Sequence, residues 1–279
     1  MRQYPGYSGS RTPPNRVLLD VGKFALVMAL FVLLLAKGTT TLGYQWQWYR
    51  VPRYLFSATP GGFSAGPLLQ GLMVTFRITA ASMVLAFFFG LVAVLMRLSS
   101  SLSARAVARA YLELIRNTPL LIQLFLLYFV ISPIVGISAY ASAVLALSLF
   151  EGAYISEIFR AGILAVPRGQ WEAAYGSGLN SWEIHRLVIL PQAVRNILPP
   201  LTSQAISLIK DSALVSTIAI YDLTMQGQAI VSETFLVFEI WFTVAAIYLA
   251  ITVSLSILVN LMEKRRSGGS TWAAGKRRS

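Results

Sequence analysis

The sequence predicts an all-α membrane protein, and three observations support that fold class. Hydrophobic residues fill 56% of the 279 positions and charged residues only 12%, with a mean hydropathy of +0.65. Soluble domains carry about twice that charged fraction. Six apolar stretches are each long enough to cross a bilayer, which takes about 20 helical residues. The chain contains no cysteine, so disulfides and cysteine-ligated metal sites are excluded.

The six apolar stretches are the predicted membrane-spanning helices. The first is too long for the apolar core of a signal peptide, so we expect it to be retained. The fourth contains two glutamates and the fifth contains Lys210 and Asp211, which we expect to be kept away from lipid. The predicted spans are 17–36, 72–96, 119–137, 139–160, 197–220 and 238–262.

The basic residues predict the orientation, because cytoplasmic segments of membrane proteins are enriched in lysine and arginine. If the N-terminus is cytoplasmic and the spans alternate, the inner segments carry eighteen basic residues. The outer segments carry three, Lys37, Arg50 and Arg53. Both termini are therefore predicted to be cytoplasmic. Topology then explains the net charge of +12, and no nucleic acid is expected as a partner.

Composition divides the chain into a tail, an extra helix with a long outer loop, a core and a second tail. The loop contains YQWQWY at 44–49, which suits a membrane interface. Its TPGGFSAGP run at 59–67 predicts a turn-rich linker. The predicted segments are a cytoplasmic tail at 1–16, the extra helix and outer loop at 17–67, the transmembrane core at 68–264 and a basic cytoplasmic tail at 265–279.

Between Ser99 and Thr118 the pattern predicts a surface helix at the lipid headgroups. Arg105, Arg109 and Arg116 form its polar side. Its apolar side is expected to contain Leu102, Tyr111, Leu112 and Ile115. Residues 221–237 are predicted to form an outer loop with a short helix.

A polar stretch, EAAYGSGLNSWEIHRLVILP at 172–191, separates the fourth and fifth spans. Gly178 suits the left-handed position just past a helix end. Asn180, with Glu183 three residues later, matches a capping box at the next helix start. Pro191 is expected to stop that second helix. These local signals predict two short helices with a glycine corner, and they leave open a loop that merely joins two spans.

The spacing of the same stretch resembles the EAA loop of ABC importer permeases, usually written EAA–G–I–LP. In that family the loop is the coupling helix, which sits in a cleft on the ATPase subunit. The resemblance therefore implies that a hairpin over 166–191 is bound by another protein, with a small-residue face at Ala173 and Ala174. The matching residues are Glu172, Ala173, Ala174, Gly178, Leu190 and Pro191, with Val188 in place of the usual isoleucine.

The resemblance extends from about residue 70 to 262. YLELIRNTPLLIQLF at 111–125, AYISEIFRAGI at 153–163 and LIKDSALVS at 208–216 are similar to permeases of polar amino acid ABC importers. It implies a five-helix type I ABC importer permease core plus one extra N-terminal transmembrane helix, in the bacterial inner membrane. The implied partners are an identical or related second permease, two ATP-binding subunits, an extracytoplasmic amino acid-binding protein and a small amino acid substrate.

Missing motifs argue against chemistry in this chain. No phosphate-cradling G-x-x-x-x-G-K-[ST] loop occurs, so ATP and Mg²⁺ are assigned to a partner ATPase and this chain is expected to bind no cofactor. His185 is the single histidine, which excludes an HExxH zinc site and disfavours a Ser-His-Asp triad. The chain is therefore predicted to be a transport subunit rather than an enzyme.

Ionisable residues inside spans are candidates for the substrate path, because they are costly in a bilayer. Glu151 lies about 18 Å into its helix at 1.5 Å per residue. A substrate contact and a structural hydrogen bond are both open for it. Glu157 is expected to pair with Arg160 one turn away. The other substrate-path candidates are Gln123, Lys210 and Asp211.

The alternative function is an ion-gradient-driven secondary transporter or channel, in which Glu151, Lys210 and Asp211 would relay ions. A membrane-embedded enzyme is the third reading, and the single histidine and absent cysteines count against it. The LFEGAY context of Glu151 favours glutamate, aspartate or a related polar substrate. The sequence does not distinguish a homodimer from a heterodimer.

Overall fold

The computed structural model describes residues 14–41, 43–59 and 62–267. The chain divides into two compact units, Met1–Gln47 and Trp48–Ser279. The first unit contains helix α1, Pro14–Thr41. Its described apolar stretch, Val21–Leu34, is shorter than the about 20 residues that a crossing takes. Most of the predicted tails, residues 1–13 and 268–279, lie outside the described residues.

The second unit begins with a small cap where the sequence predicts a loop and linker. It comprises a 3₁₀ turn, Trp48–Arg50, the short helix α2, Pro52–Leu55, and two antiparallel strands, β1, Phe56–Thr59, and β2, Gly62–Ala65. The linker prediction for 59–67 was therefore wrong in part, because that run supplies one strand of a hairpin. Tyr54 and Leu55 pack against the cluster that contains Leu68, which fixes the cap to the helices.

Among the described residues of the second unit, three helices are long and apolar enough to cross a membrane. They are α3, Pro67–Leu98, α7, Ala139–Leu164, and α12, Val237–Ser267, the last over residues 237–261. A further apolar segment, made of α5, Leu120–Phe125, a π-helical turn, Leu126–Ile131, and α6, Ser132–Val135, meets the same criteria only when α4, Leu102–Arg116, is counted with it. The chain bends by 106° between α4 and the helix that follows it.

The predicted span 197–220 is not one helix. The observed helix α10 runs from Leu190 to Asp211, contains Pro199 and Pro200, and passes into a 3₁₀ segment, Ser212–Ile218. The two prolines each remove one hydrogen bond from α10 without ending it, and the α-helical geometry is lost only at Ser212. The predicted short helix in the next segment is present as α11, Leu223–Thr234.

Helices α3 and α7 form the centre of the bundle and run parallel to each other. Ser148 Oγ donates to the Ser82 carbonyl at 3.2 Å. A side chain on Gly90 would lie 2.7 Å from Ile155 Cγ2, so glycine is what permits this close approach. Because the two helices are parallel, their C-terminal ends lie at the same end of the bundle, where α7 leads into the polar hairpin.

Candidate functional site

The polar hairpin is built from α8, Arg168–Gly176, a glycine corner, and α9, Ser181–Glu183. Gly178 has φ of +76°, which confirms the predicted left-handed position. The capping box is also confirmed, since Glu183 N donates to Asn180 Oδ1 at 3.0 Å and Asn180 N donates to Glu183 Oε2 at 2.9 Å. Local signals were sufficient here because both features depend on residues within one turn.

The hairpin has a small core of its own. Ala174, Ile184 and Ile189 are buried in it, and the rings of Trp171 and His185 meet edge to face at 5.3 Å. Ala174 therefore faces the interior of the hairpin and only Ala173 is exposed. The expected small-residue face made of both alanines is wrong, because adjacent helical residues point about 100° apart.

Pro191 does not stop the second helix, contrary to the prediction. Helix α9 continues through a π-helical turn, Ile184–Ile189, into α10, where Pro191 occupies the first turn. The wider π turn interrupts the regular hydrogen-bond ladder just before the proline, so the missing N–H falls at a helix start, where it costs little. The result is a continuous helical path from the hairpin into the membrane-embedded part.

The outer surface of the hairpin carries large exposed side chains. Tyr175 is 56% exposed, Trp182 69% and Leu187 61%. Among the residues of the matched motif, Glu172 is exposed and Leu190 is 44% exposed. Exposed aromatic residues are typical of protein interfaces. The sequence reasoning missed Tyr175 and Trp182, although an aromatic residue on each side of a glycine corner was a visible signal.

Glu151 is completely buried between α7 and α10. Gln204 Nε2, which sequence reasoning missed, donates to its Oε2 at 2.6 Å. Asp211 is close enough for its charge to act on Glu151. The two carboxyl groups can form a hydrogen bond when one of them is protonated, and apart from Asp211 no described residue forms a hydrogen bond with Oε1 of Glu151. Lys210 is exposed, and its charge acts on the carboxyl group of Asp211.

Gln123 serves the bend between α4 and α5. It is 9% exposed, and its Nε2 donates to the Ile115 carbonyl at 2.8 Å and to the Thr118 carbonyl at 3.0 Å. These bonds satisfy carbonyls that the 106° bend removes from the helical ladder. In this structure Gln123 is therefore a residue of the bend and does not line an open path.

Glu157 is shared by three arginines. Arg160 Nε lies 3.1 Å from Glu157 Oε2, which is the expected pair. Arg97 Nη1 and Arg116 Nη1 lie 2.9 Å and 3.0 Å from Oε1. The cluster joins α3, α4 and α7 at the hairpin end of the bundle. Sequence reasoning missed the two distant arginines because neither pairing follows from helical spacing.

Comparisons with known proteins agree with this architecture. A sequence model of the family described as "Binding-protein-dependent transport system inner membrane component" matches residues 86–268. The glutamine transport system permease protein GlnP of Escherichia coli K12 is 37% identical over 201 residues, covering 71% of this chain and 92% of that protein. The L-cystine transport system permease protein TcyB of Bacillus subtilis is 39% identical over 202 residues, covering 71% and 86%.

Solved structures show the same fold. A crystal structure of an amino acid ABC transporter with histidines is 41% identical, with a TM-score of 0.68, and covers 71% of this chain and 94% of that one. The inward-facing MetNI methionine ABC transporter has a TM-score of 0.59 at 22% identity, over 71% and 95% of the chains, and supports the fold alone.

Proposed function

This chain belongs to the family of binding-protein-dependent transport system inner membrane components and is the permease subunit of an ATP-driven amino acid importer, and we propose how it couples and what it carries. The relatives are transport subunits and not enzymes. An ATPase and a binding protein are the partners that such a subunit requires. In the proposed assembly a second permease, identical or related, and two ATP-binding subunits complete the transporter, with ATP and Mg²⁺ held by the ATPases.

The proposed substrate is a polar amino acid. GlnP and TcyB are named for glutamine and cystine, both zwitterions with an ammonium group. Glu151 and Asp211 bring two carboxyl groups together inside the bundle, and apart from Asp211 no described residue forms a hydrogen bond with Oε1 of Glu151. A substrate ammonium is a donor that both acids favour. Glu151 therefore contacts the substrate when the helices separate, whereas Gln123 and exposed Lys210 have weaker support as path residues.

One observation supports the coupling role of the hairpin above the others. A rigid, capped corner exposes Tyr175 and Trp182 to solvent while it buries its own aliphatic core. Exposing this much aromatic surface is unfavourable in water, and a partner cleft removes the cost. The hairpin continues into α10 without a break, so a displacement of the hairpin moves the helix that holds Gln204 against Glu151.

Co-purification of the ATPase with variants of the permease tests the coupling role of the hairpin. Trp182→Ala and Tyr175→Ala should each weaken ATPase binding by about thirtyfold or more, the usual size of an interface hot spot. Tyr49→Ala is the matched control, since Tyr49 is 80% exposed in the cap, at the other end of α3. Full ATPase retention in both hairpin variants would mean that the hairpin is only a connecting loop.

Proteoliposomes separate the ATP-driven function from its alternative. Uptake of glutamine or another polar amino acid should require ATP on the side of the membrane that the hairpin faces. It should also require the binding protein on the opposite side. An ion-gradient-driven transporter or channel would instead move substrate with a sodium or proton gradient and no ATP. Uptake that follows the gradient alone would reject the proposed function.

A further inference from the structure

Helix α4 has three different faces. Ala108, Leu112 and Ile115 are buried against the bundle. Arg105, Arg109 and Arg116 lie within about 40° of one another at 100° per residue, and form one stripe along the helix. Leu102, predicted for the apolar side, is 77% exposed.

The third face of α4 is apolar and exposed. Val107 is 59% exposed and Leu114 is 67% exposed. These two residues lie about 140–180° around the helix from Arg116 and Arg109, and neither belongs to the buried face. The bend of 106° after α4 separates its direction from that of the following span, which suits a helix lying along the membrane surface.

The arginine stripe carries three positive charges, and the acids beside it are Glu113, which lies on the same side of α4, and Glu157. Arg116 shares the single carboxylate of Glu157 with Arg97 and Arg160, so three guanidinium groups face one acid. Arg105 and Arg109 are exposed and form no ion pair within the described part of the chain. Arg116 remains 45% exposed in spite of its ion pair.

We propose that the arginine stripe of α4, together with the Glu157 cluster, binds the phosphate of an anionic phospholipid at the hairpin end of the bundle. Guanidinium groups are suited to phosphate because their donors form a planar fork. Val107 and Leu114 contact the acyl chains while the arginines remain at the headgroups. A soluble ATPase surface would satisfy the arginines but would leave these two apolar side chains in water, so the lipid surface fits both faces.

This inference rests on the proposed function only for the side of the membrane, which is the cytoplasmic leaflet because the hairpin faces the ATPase. Anionic lipids give that leaflet a negative surface potential. The bound lipid would hold α4 in the headgroup layer and thereby support the ion pairs that tie α3, α4 and α7 together. The site therefore predicts a lipid requirement at the end of the bundle that receives the ATPase.

The test is native mass spectrometry of the full permease–ATPase complex released from nanodiscs of phosphatidylglycerol and phosphatidylcholine. The wild-type complex should retain phosphatidylglycerol in preference to phosphatidylcholine. In Arg105→Gln/Arg109→Gln, retention should fall by about fivefold for each arginine removed. Both side chains are exposed outside the bundle core, so the variant should fold.

Arg53→Gln/Arg195→Gln is the matched control, because it removes the same charge from exposed positions outside both α4 and the hairpin. It should retain phosphatidylglycerol as the wild type does. Equal losses in both double variants, or equal retention of the two lipids, would overturn the site. Binding of glycerol 3-phosphate as tightly as phosphatidylglycerol would show that the acyl chains contribute nothing, would assign the site to a soluble phosphate and would overturn the lipid proposal.

The lipid measurement involves neither transport nor ATP hydrolysis. Unchanged retention in Arg105→Gln/Arg109→Gln would therefore reject the lipid site while ATP-driven uptake could still be intact. Conversely, uptake by the wild-type protein that follows an ion gradient without ATP would reject the proposed function. Selective loss of phosphatidylglycerol from Arg105→Gln/Arg109→Gln would still support the lipid site in that case.

Discussion

Glu151 is the residue at which burial and charge conflict most directly. It is fully buried, one oxygen accepts from Gln204, and the other has no hydrogen-bond partner among the described residues apart from the carboxyl group of Asp211. A buried charge without full hydrogen bonding is costly, and inside a membrane it generally marks function. The sequence position alone left a substrate contact and a structural bond open, and the structure shows that the structural bond engages only one of the two oxygens.

Glu151→Gln separates these roles, because glutamine is nearly isosteric and still accepts from Gln204 through its amide oxygen. If Glu151 receives the substrate ammonium, the apparent affinity for substrate should fall at least about tenfold, the value of a hydrogen bond to a charged group. ATPase co-purification should remain unchanged. Uptake kinetics equal to those of the wild type would limit Glu151 to helix packing.

Asp222 is a second buried acid, and it lies outside the predicted spans. It caps α11, with Oδ1 accepting from Met225 N at 2.9 Å. Burial raises the pKa of Asp222 to about 6, although backbone hydrogen bonds act in the opposite direction. Because the folded pKa of this acid exceeds the unfolded value of about 3.9, folding favours the protonated form.

The free energy of unfolding should therefore fall as the pH rises from about 4 to 6, by about 3 kcal/mol from this residue, and then stay level. Asp222→Asn keeps an oxygen that can cap α11 and has no proton to lose. The difference in melting temperature between variant and wild type in detergent should change across that window. A pH-independent difference would show that Asp222 does not titrate there.

At the scale of elements, the hairpin separates what local sequence can predict from what it cannot. Gly178, Asn180 and Glu183 were predictable, since their geometry depends on neighbours within a few residues. The continuation of the helix through Pro191 was not, because it depends on a π turn held by the hairpin core. The Arg97 and Arg116 contacts to Glu157 depend on tertiary packing and gave no local signal.

Two glycines of the hairpin form a matched pair for testing the corner. Gly178 has φ of +76° and Gly176 ends helix α8, and neither has an atom within 4 Å of where a Cβ would lie. Gly178→Ala should therefore destabilise the hairpin by about 1–2 kcal/mol through backbone strain alone. Gly176→Ala should be neutral or stabilising.

Hydrogen exchange across residues 168–191 measures this local stability, and ATPase retention reports its consequence. Faster exchange and weaker retention should appear in Gly178→Ala only. Equal behaviour of the two variants would show that the left-handed corner is not needed for the hairpin to hold its shape.

At the scale of the molecule, α3 separates the cap from the hairpin. Its 32 residues span about 48 Å at 1.5 Å per residue, with β2 just before its start and the Glu157 cluster near its end. The hairpin follows α7, which runs parallel to α3. The cap and the hairpin therefore lie at opposite ends of the bundle, as the distribution of basic residues requires for an outer loop and an inner hairpin.

Single-cysteine labelling tests this orientation directly, because the chain has no cysteine of its own. Ser64 in β2 and Ser177 in the glycine corner are both exposed, so cysteine at either position should be tolerated. In intact cells a membrane-impermeant maleimide should label Ser64→Cys only, and in inside-out vesicles Ser177→Cys only. The reverse pattern would place the hairpin away from any cytoplasmic ATPase and remove the basis of coupling. Labelling of both from one side would contradict the opposite placement of cap and hairpin.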